Sequence, residues 1–245
     1  MDIITKAADK VKKSVYLSCF TGAGISIESG IPVFRGADGL YSKFDQSLLE
    51  ISSYQYNTAE SWKAIKAVFY DSFVNARPNP AHEILAKWEN SGLLKAVVTQ
   101  NIDNLHSAAG SKNVIEYHGN KEYFVCFDCA ERYSNNELEL TDNPPKCLKC
   151  GGLLKPDFIF FGEAIPSDAA RLSHEAAKKS DVHLIIGTTG TVQPAAYIPY
   201  YAKRAGALII EINPEESSFT TTISDMFIKM TASEAMQKLD KIIFP

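Results

Sequence analysis

The sequence lacks three features that would each fix its class. It has no apolar run approaching the roughly 20 residues that a membrane span needs. It has no basic excess, since 25 Lys+Arg stand against 29 Asp+Glu for a formal charge of −4, so an electrostatic nucleic-acid footprint is not expected. The run Lys6, Lys10, Lys12, Lys13 is short and reads as one solvated helix face. The start, MDIITKAADK, lacks a cationic stretch leading into an apolar one, so no signal peptide is expected. Internal repeats, low-complexity tracts and long linkers are also missing. What remains is the ordinary globular composition of a 245-residue chain, 45% apolar and 22% charged, expected to be a soluble, cytoplasmic monomer.

Of the five cysteines, four form two C-x-x-C pairs, Cys126/Cys129 and Cys147/Cys150, with 17 residues between them. That spacing is a zinc-ribbon pattern. Two tight turns each present two thiolates, and four thiolates close a tetrahedral Zn²⁺ sphere, so the metal is expected to hold a fold and not to react. Two disulfides are disfavoured because nothing marks the chain as exported, and a redox motif needs one pair, not two. Gly151-Gly152 suits the second turn. Cys19 lies in an apolar strand-like run and reads as core.

Short apolar runs at Val15–Phe20, Lys95–Thr99, Val182–Ile186 and Ala207–Ile212 predict strands buried on both faces. Helices are predicted over Pro80–Asn90, Ser167–Ser180, Pro194–Ala205 (stopped by Gly206) and Ser233–Ile243, with Ser233 as a cap. The alternation implies an α/β fold, a Rossmann-like doubly wound parallel sheet with ligands at the carboxyl ends of the strands. Two stretches break it. Residues 37–79, with a helical piece over Thr58–Val74, and residues 121–155, with the zinc cysteines, read as inserts forming a smaller helical and zinc-ribbon module. Residues 1–36, 80–120 and 156–245 form the larger domain, and the cleft between the two is the expected site.

The strand ends carry polar turns. Gly22-Ala23-Gly24 follows the first strand, as in phosphate-binding turns. Ile27 stands where a G-x-G-x-x-G motif needs its third glycine, and no strand ends in an acidic residue about 20 positions on, so a hydride-transfer dehydrogenase is disfavoured. Arg35 sits in a glycine-flanked loop suited to a pyrophosphate. Gln100-Asn101-Ile102-Asp103 and Gly187-Thr188-Thr189-Gly190 end two further strands, and Asn213 ends another. Taken singly, each also reads as a ligand-free turn or a helix cap.

Together these motifs resemble the sirtuin family of NAD-dependent protein lysine deacylases, in its compact bacterial form. The resemblance rests on Gly22-Ala23-Gly24-Ile25-Ser26, Gly30–Arg35, Thr99–Asp103, His118-Gly119, the four cysteines, Phe161-Gly162-Glu163 and Asn213-Pro214, in family order across residues 22–215. It implies NAD as co-substrate, one structural Zn²⁺, and an acyl-lysine protein or peptide as partner. It places Gly22, Ala23, Gly24 and Arg35 at the diphosphate, and Gln100, Asn101 and Asp103 at the nicotinamide and its ribose. Gly187, Thr188, Thr189, Asn213 and Ala232 fall at the adenosine half, and Phe34, Ile159 and Phe161 at the acyl-lysine channel, although each of these three also reads as plain core.

By the same resemblance His118 is the general base, with Asn101 and Asp103 beside it. The acyl oxygen attacks the nicotinamide ribose, nicotinamide leaves, and an alkylimidate forms. His118 then helps the 2′-OH to attack, and water releases lysine and O-acyl-ADP-ribose. An unperturbed imidazole, with a pKa of about 6.5, suits this role. His82, His106, His174 and His183 receive no role; His183 reads as a satisfied core residue. Protein ADP-ribosylation is the alternative activity and a non-enzymatic binding module a third reading. Two departures stand out. Gly190 replaces an apolar residue and is expected to loosen the adenosine-side loop. Phe73 replaces the arginine of the desuccinylating branch, which predicts acetyl or longer neutral acyl groups.

Overall fold

The structure is a computed structural model that describes residues 2–32, 39 and 45–245. Among these the chain runs α1 (Ile3–Lys12), β1 (Leu17–Thr21), α2 (Ile51–Tyr56), α3 (Thr58–Ile65), α4 (Pro80–Asn90), β2 (Leu94–Thr99), α5 (Leu105–Ala108), β3 (Val114–Glu116), β4 (Gly119–Cys126), β5 (Arg132–Ser134), β6 (Leu154–Phe158), α6 (Ser167–Lys179), β7 (Val182–Ile186), α7 (Tyr197–Arg204), β8 (Leu208–Asn213), β9 (Met226–Lys229) and α8 (Ala232–Ile243).

Six strands form a parallel sheet in the order β3-β2-β1-β7-β8-β9. The order reverses between β1 and β7, which is the switch point where a doubly wound sheet opens a crevice at its carboxyl edge. Every residue of β1 and β7 is buried, so their side chains alternate between two apolar layers. Leu17, Cys19, Leu184 and Ile186 face α1, α4 and α8. Phe20 and Ile185 face α6 and α7. Cys19 is thus a core residue, and burial pushes its thiol up.

Several predicted boundaries move for identifiable reasons. β1 starts at Leu17 and not Val15, because Val15 is 81% exposed and the Val15 and Tyr16 N–H groups donate to the Asp181 carboxylate at 2.8 and 2.9 Å. α7 starts three residues late, at Tyr197, after a tight turn over residues 194–196. α8 is capped by Thr231, whose hydroxyl accepts the Glu234 N–H; Ser233 lies inside the first turn and donates its own N–H to Glu28. The helix predicted over Thr58–Val74 is α-helical only to Ile65 and continues as a wider-wound turn over Lys66–Asp71. Gly206 ends the helical region with φ of +100°, as its position predicts.

A second sheet, β5-β4-β6, is antiparallel. Its apolar side joins Tyr54, Trp62, Ile65 and Phe69 to Phe124, Leu154, Phe158 and Phe160 in one cluster. Two large polar side chains within this layer are matched: Tyr54 Oη donates to Leu154 O at 2.8 Å and Trp62 Nε1 to Thr141 O at 2.9 Å.

Three histidines are buried in the larger sheet's layers. His183 bonds Ser18 Oγ through Nδ1 at 2.7 Å but leaves Nε2 without a partner among the described residues, so it is only half satisfied. Burial lowers His183 to about 3 and His82 to about 4, and takes His106 well below its ordinary value. In the unfolded chain each protonates near 6.5. Stability is therefore full above about pH 6.5 and lost as pH falls toward the folded values, by about 1.4 kcal/mol per pH unit for each group. Urea unfolding at pH 7 and pH 5 should show a loss of at least about 2 kcal/mol; equal stability would overturn the assignment of these groups as neutral and buried.

Candidate active site

The carboxyl ends of β1, β2, β7 and β8 are stitched together by their own turns. Gly22 N–H donates to Ile186 O at 3.0 Å and Gly24 N–H to Gly187 O at 2.8 Å. A Cβ on Gly24 would stand 2.6 Å from Gly187 Cα, and Gly187 itself has φ of +64°, so these two turns interlock only as glycines. The segment after Gly22 is a short 3₁₀ helix, Ala23–Ser29, with Ile27 half exposed. Ile27 is therefore not pressed against the sheet, so a third glycine is dispensable there.

Gln100 Nε2 donates to Thr188 Oγ1 at 3.1 Å, tying the β2 end to the β7 end. Asn101 is buried; its Nδ2 donates to Gly22 O at 3.1 Å and Ser26 Oγ at 3.2 Å, and its N–H to Thr99 Oγ1 at 3.0 Å. Asp103 accepts Ser26 Oγ–H at 2.7 Å and Leu105 N–H at 2.9 Å. Burial raises the Asp103 carboxyl against these bonds. Asn213 Nδ2 donates to Thr188 O at 3.1 Å.

His118 sits at the crossover from β3 to β4, where the chain leaves one sheet for the other. Its Nδ1 lies 3.1 Å from Gln100 O. A carbonyl only accepts, so Nδ1 carries the proton and Nε2 the lone pair. Burial pulls the imidazole below its ordinary value, opposed by that bond, and so favours the neutral base. Its own carbonyl accepts Ile159 N–H at 2.8 Å.

Several of these groups meet in a cavity of about 320 Å³, whereas Gly24 and Asp103 stand outside its lining and Asp103 faces the neighbouring cavity. Gly22, Ala23, Gln100, Asn101 and His118 line one side, with Gly187, Thr188 and Thr189 beyond them. Leu49, Phe69, Ile159, Phe161, Val192 and Pro194 line the other. Glu163, also on the wall, is neutralised by Lys155 at 2.9 Å, and accepts Phe160 N–H at 2.7 Å. A larger cavity of about 440 Å³ lies past Asp103, rimmed by Lys66, Arg77 and Glu122. None of the interlocked glycine turns reaches it, so the chemistry belongs to the smaller one. Asn213 and Ala232 stand outside the lining, at the end of β8 and the start of α8. Phe34 and Arg35 lie outside the described residues.

Phe73 is buried behind Phe69, their rings edge-on at 6.1 Å, and Tyr70 Oη donates to Lys121 O. No cationic side chain lines the cavity among the described residues. Gly190 departs from its expectation. Its φ is +71°, Ser218 Oγ–H donates to its carbonyl at 3.1 Å, and a Cβ there would stand 2.7 Å from the Phe219 ring. The missing side chain leaves room that Ser218 and Phe219 fill, so the loop is packed and not loosened.

The sequence reading missed Ser26, Leu49, Phe69 and the Lys155–Glu163 pair. Ser26 stood inside a quoted motif, and its link to Asp103 spans 77 residues, which no local pattern reports.

The four cysteine sulfurs all lie within 4.8 Å of one another, with pairs at 3.5, 3.5 and 3.6 Å. A disulfide needs about 2.05 Å. The edge of a tetrahedron with Zn–S of about 2.3 Å is about 3.8 Å, so the set fits one zinc ion held by Cys126, Cys129, Cys147 and Cys150. Tyr133 Oη, 3.3 Å from Cys147 Sγ, and Asp128 N–H, 3.4 Å from Cys126 Sγ, further support thiolates. Gly151 takes φ of +75°, as its turn requires.

The profile of the Sir2 family matches residues 22–194. A Pyrococcus furiosus protein named NAD-dependent protein deacylase is 45% identical over 93% of this chain and 92% of its own length. One of the same name from Aquifex aeolicus is 43% identical over 89% and 91%. A Sir2 homologue solved with NAD superposes with a TM-score of 0.89 at 38% identity, over 99% of this chain and 94% of that one. A Sir2 enzyme solved with a p53 peptide and NAD⁺ gives 0.89 at 34%, over 98% of both. With its parallel sheet, its cysteine cluster and this likeness along nearly its whole length, the chain belongs to the Sir2 family.

Proposed function

We propose that this chain is an NAD-dependent protein lysine deacylase that converts acyl-lysine, NAD and water to free lysine, nicotinamide and O-acyl-ADP-ribose. The observation that carries the reading is His118, with its lone pair on Nε2, in a cavity with polar strand ends on one side and an apolar wall on the other. NAD supplies the electrophilic ribose carbon and the hydroxyl that takes over the acyl group. His118 Nε2 accepts the ribose proton, while Gln100 O keeps Nδ1–H in place so that the ring holds one tautomer. Asn101 and Asp103, fixed through Ser26, shape the nicotinamide and ribose pocket.

Gly22, Ala23 and Gly24 let backbone approach the diphosphate, with Arg35 as its counter-charge. Gly187, Thr188, Thr189, Asn213 and Ala232 serve the adenosine half. Phe34, Ile159 and Phe161 border the acyl-lysine. Residues 37–79 and 121–155 form the small domain and the rest the NAD-binding domain; the apolar cluster shared by the two inserts supports this division. A substrate peptide lies extended between them and pairs by backbone hydrogen bonds, which tolerates many sequences. Four thiolates persist in a reducing compartment, which supports a cytoplasmic location.

The acyl pocket takes a neutral group. Among the described residues no Lys or Arg lines the cavity to pair a succinyl carboxylate, and burying one unpaired costs several kcal/mol. Steady-state rates on one peptide bearing acetyl, succinyl or fatty-acyl lysine test the function and the preference together. Acetyl should exceed succinyl by at least about tenfold in kcat/KM; succinyl preferred would sink the preference, and no NAD-dependent product on any peptide would sink the function.

A further inference from the structure

Glu211 on β8 is a fully buried carboxylate for which the reaction has no use. Its hydrogen-bond partners are all neutral. Oε1 accepts Asn213 Nδ2 at 3.0 Å and Ser217 Oγ at 2.5 Å; Oε2 accepts Thr220 Oγ1 at 2.9 Å and Ser224 Oγ at 2.7 Å. A buried charge persists on such terms only when its oxygens are satisfied. The donors come from the last residue of β8 and from the segment that follows it, so one side chain folds residues 213–224 around itself.

That segment grips the turn after β7. Ser218 N–H donates to Thr189 O at 3.1 Å, Ser218 Oγ–H to Gly190 O at 3.1 Å, and Asn213 Nδ2 to Thr188 O at 3.1 Å. Phe219, fully buried, closes against Gly190. Asn213 thus commits both protons of its amide, one to Glu211 and one to Thr188 O. Its Oδ1 has no protein donor among the described residues and stays available to accept a hydrogen bond.

We propose that Glu211 is a positioning residue for the co-substrate: it holds Asn213 with Oδ1 presented to a hydroxyl donor of the adenosine half and, through Ser217 and Thr220, fixes the Thr188–Gly190 turn. The inference rests on the NAD reading above. It accounts for Gly190, because only a residue without a Cβ lets the Glu211-organised segment close on that turn.

Calorimetry of the full chain with ADP-ribose, alongside steady-state kinetics, tests it. Glu211→Gln keeps the volume but replaces one acceptor by a donor, so ADP-ribose affinity should fall about tenfold and KM for NAD rise by the same factor. KM for acyl-peptide, and kcat at saturating NAD, should stay within about twofold, a split that general loosening would not give. Asn213→Ala should lose a similar factor, and the double variant should lose clearly less than the product of the two single losses, because part of the Glu211 effect passes through Asn213. If Glu211→Gln does not fold, Ser217→Ala removes one donor from the same carboxylate and should cost about threefold. Wild-type affinity in a folded variant, additive losses in the double variant, or an equal rise in peptide KM would each overturn the proposal. Failure of the wild-type chain to bind ADP-ribose would instead overturn the NAD reading itself.

Discussion

Replacing His118 with alanine is expected to lower deacylation by ~10²–10⁴-fold, the range a positioned general base supplies. NAD affinity should change little, because the bonds that stitch Gly22, Asn101 and Thr188 together do not pass through the imidazole. The pH profile carries a second mark. Burial holds His118 below its ordinary value, so the neutral base predominates at pH 6.5 and above, and the acid limb of kcat/KM falls below about 6.5. Activity therefore rises with pH through that limb and levels off, and His118→Ala abolishes the limb with the rate. A folded, NAD-binding variant that retained a tenth of wild-type turnover would remove His118 from the chemistry.

Loss of the metal is expected to be as severe by another route. Small thiolate zinc sites contribute apparent free energies of about 10–16 kcal/mol near neutral pH. Metal analysis should find about one zinc per chain. Cys147→Ser should abolish it and melt the β5-β4-β6 sheet, since Cys126 and Cys147 also belong to the cluster that holds Trp62 and Phe124. Turnover should fall with the metal. Cobalt(II) in place of zinc should restore both fold and rate to within about twofold, because a sphere closed by four thiolates leaves no position for substrate. A rate that followed the identity of the metal would make it a participant.

The parts of the fold that the sequence announced are those where physics is local. Two C-x-x-C turns at ribbon spacing define a metal site before any folding is considered. Runs buried on both faces, such as Val182–Ile186, have no other place than the middle of a parallel sheet. Edge strands are different. Val114–Glu116 and Met226–Lys229 are short and only partly buried, so they show no continuous apolar run, and they exist because β2 and β8 offer them a ladder. The same divide runs through the site. Glycine turns and the Gln100–Asp103 segment are contiguous and legible. Ser26 on Asp103, Lys155 on Glu163 and Gln100 on Thr188 are partnerships that only the folded chain creates. Gly190 was misread for a like reason, since its fit depends on Phe219, which lies far along the chain.

His118 is fastened at two ends, its ring to Gln100 at the edge of the parallel sheet and its backbone carbonyl to Ile159, just past β6 of the antiparallel one. The base is therefore a strut across the gap between two separately built layers. Any slackening between them tilts the imidazole before either layer loses its own hydrogen bonds. Turnover is then the most sensitive gauge of how well the halves are seated. In mild urea it should decline while the circular-dichroism signal and the bound zinc are still intact.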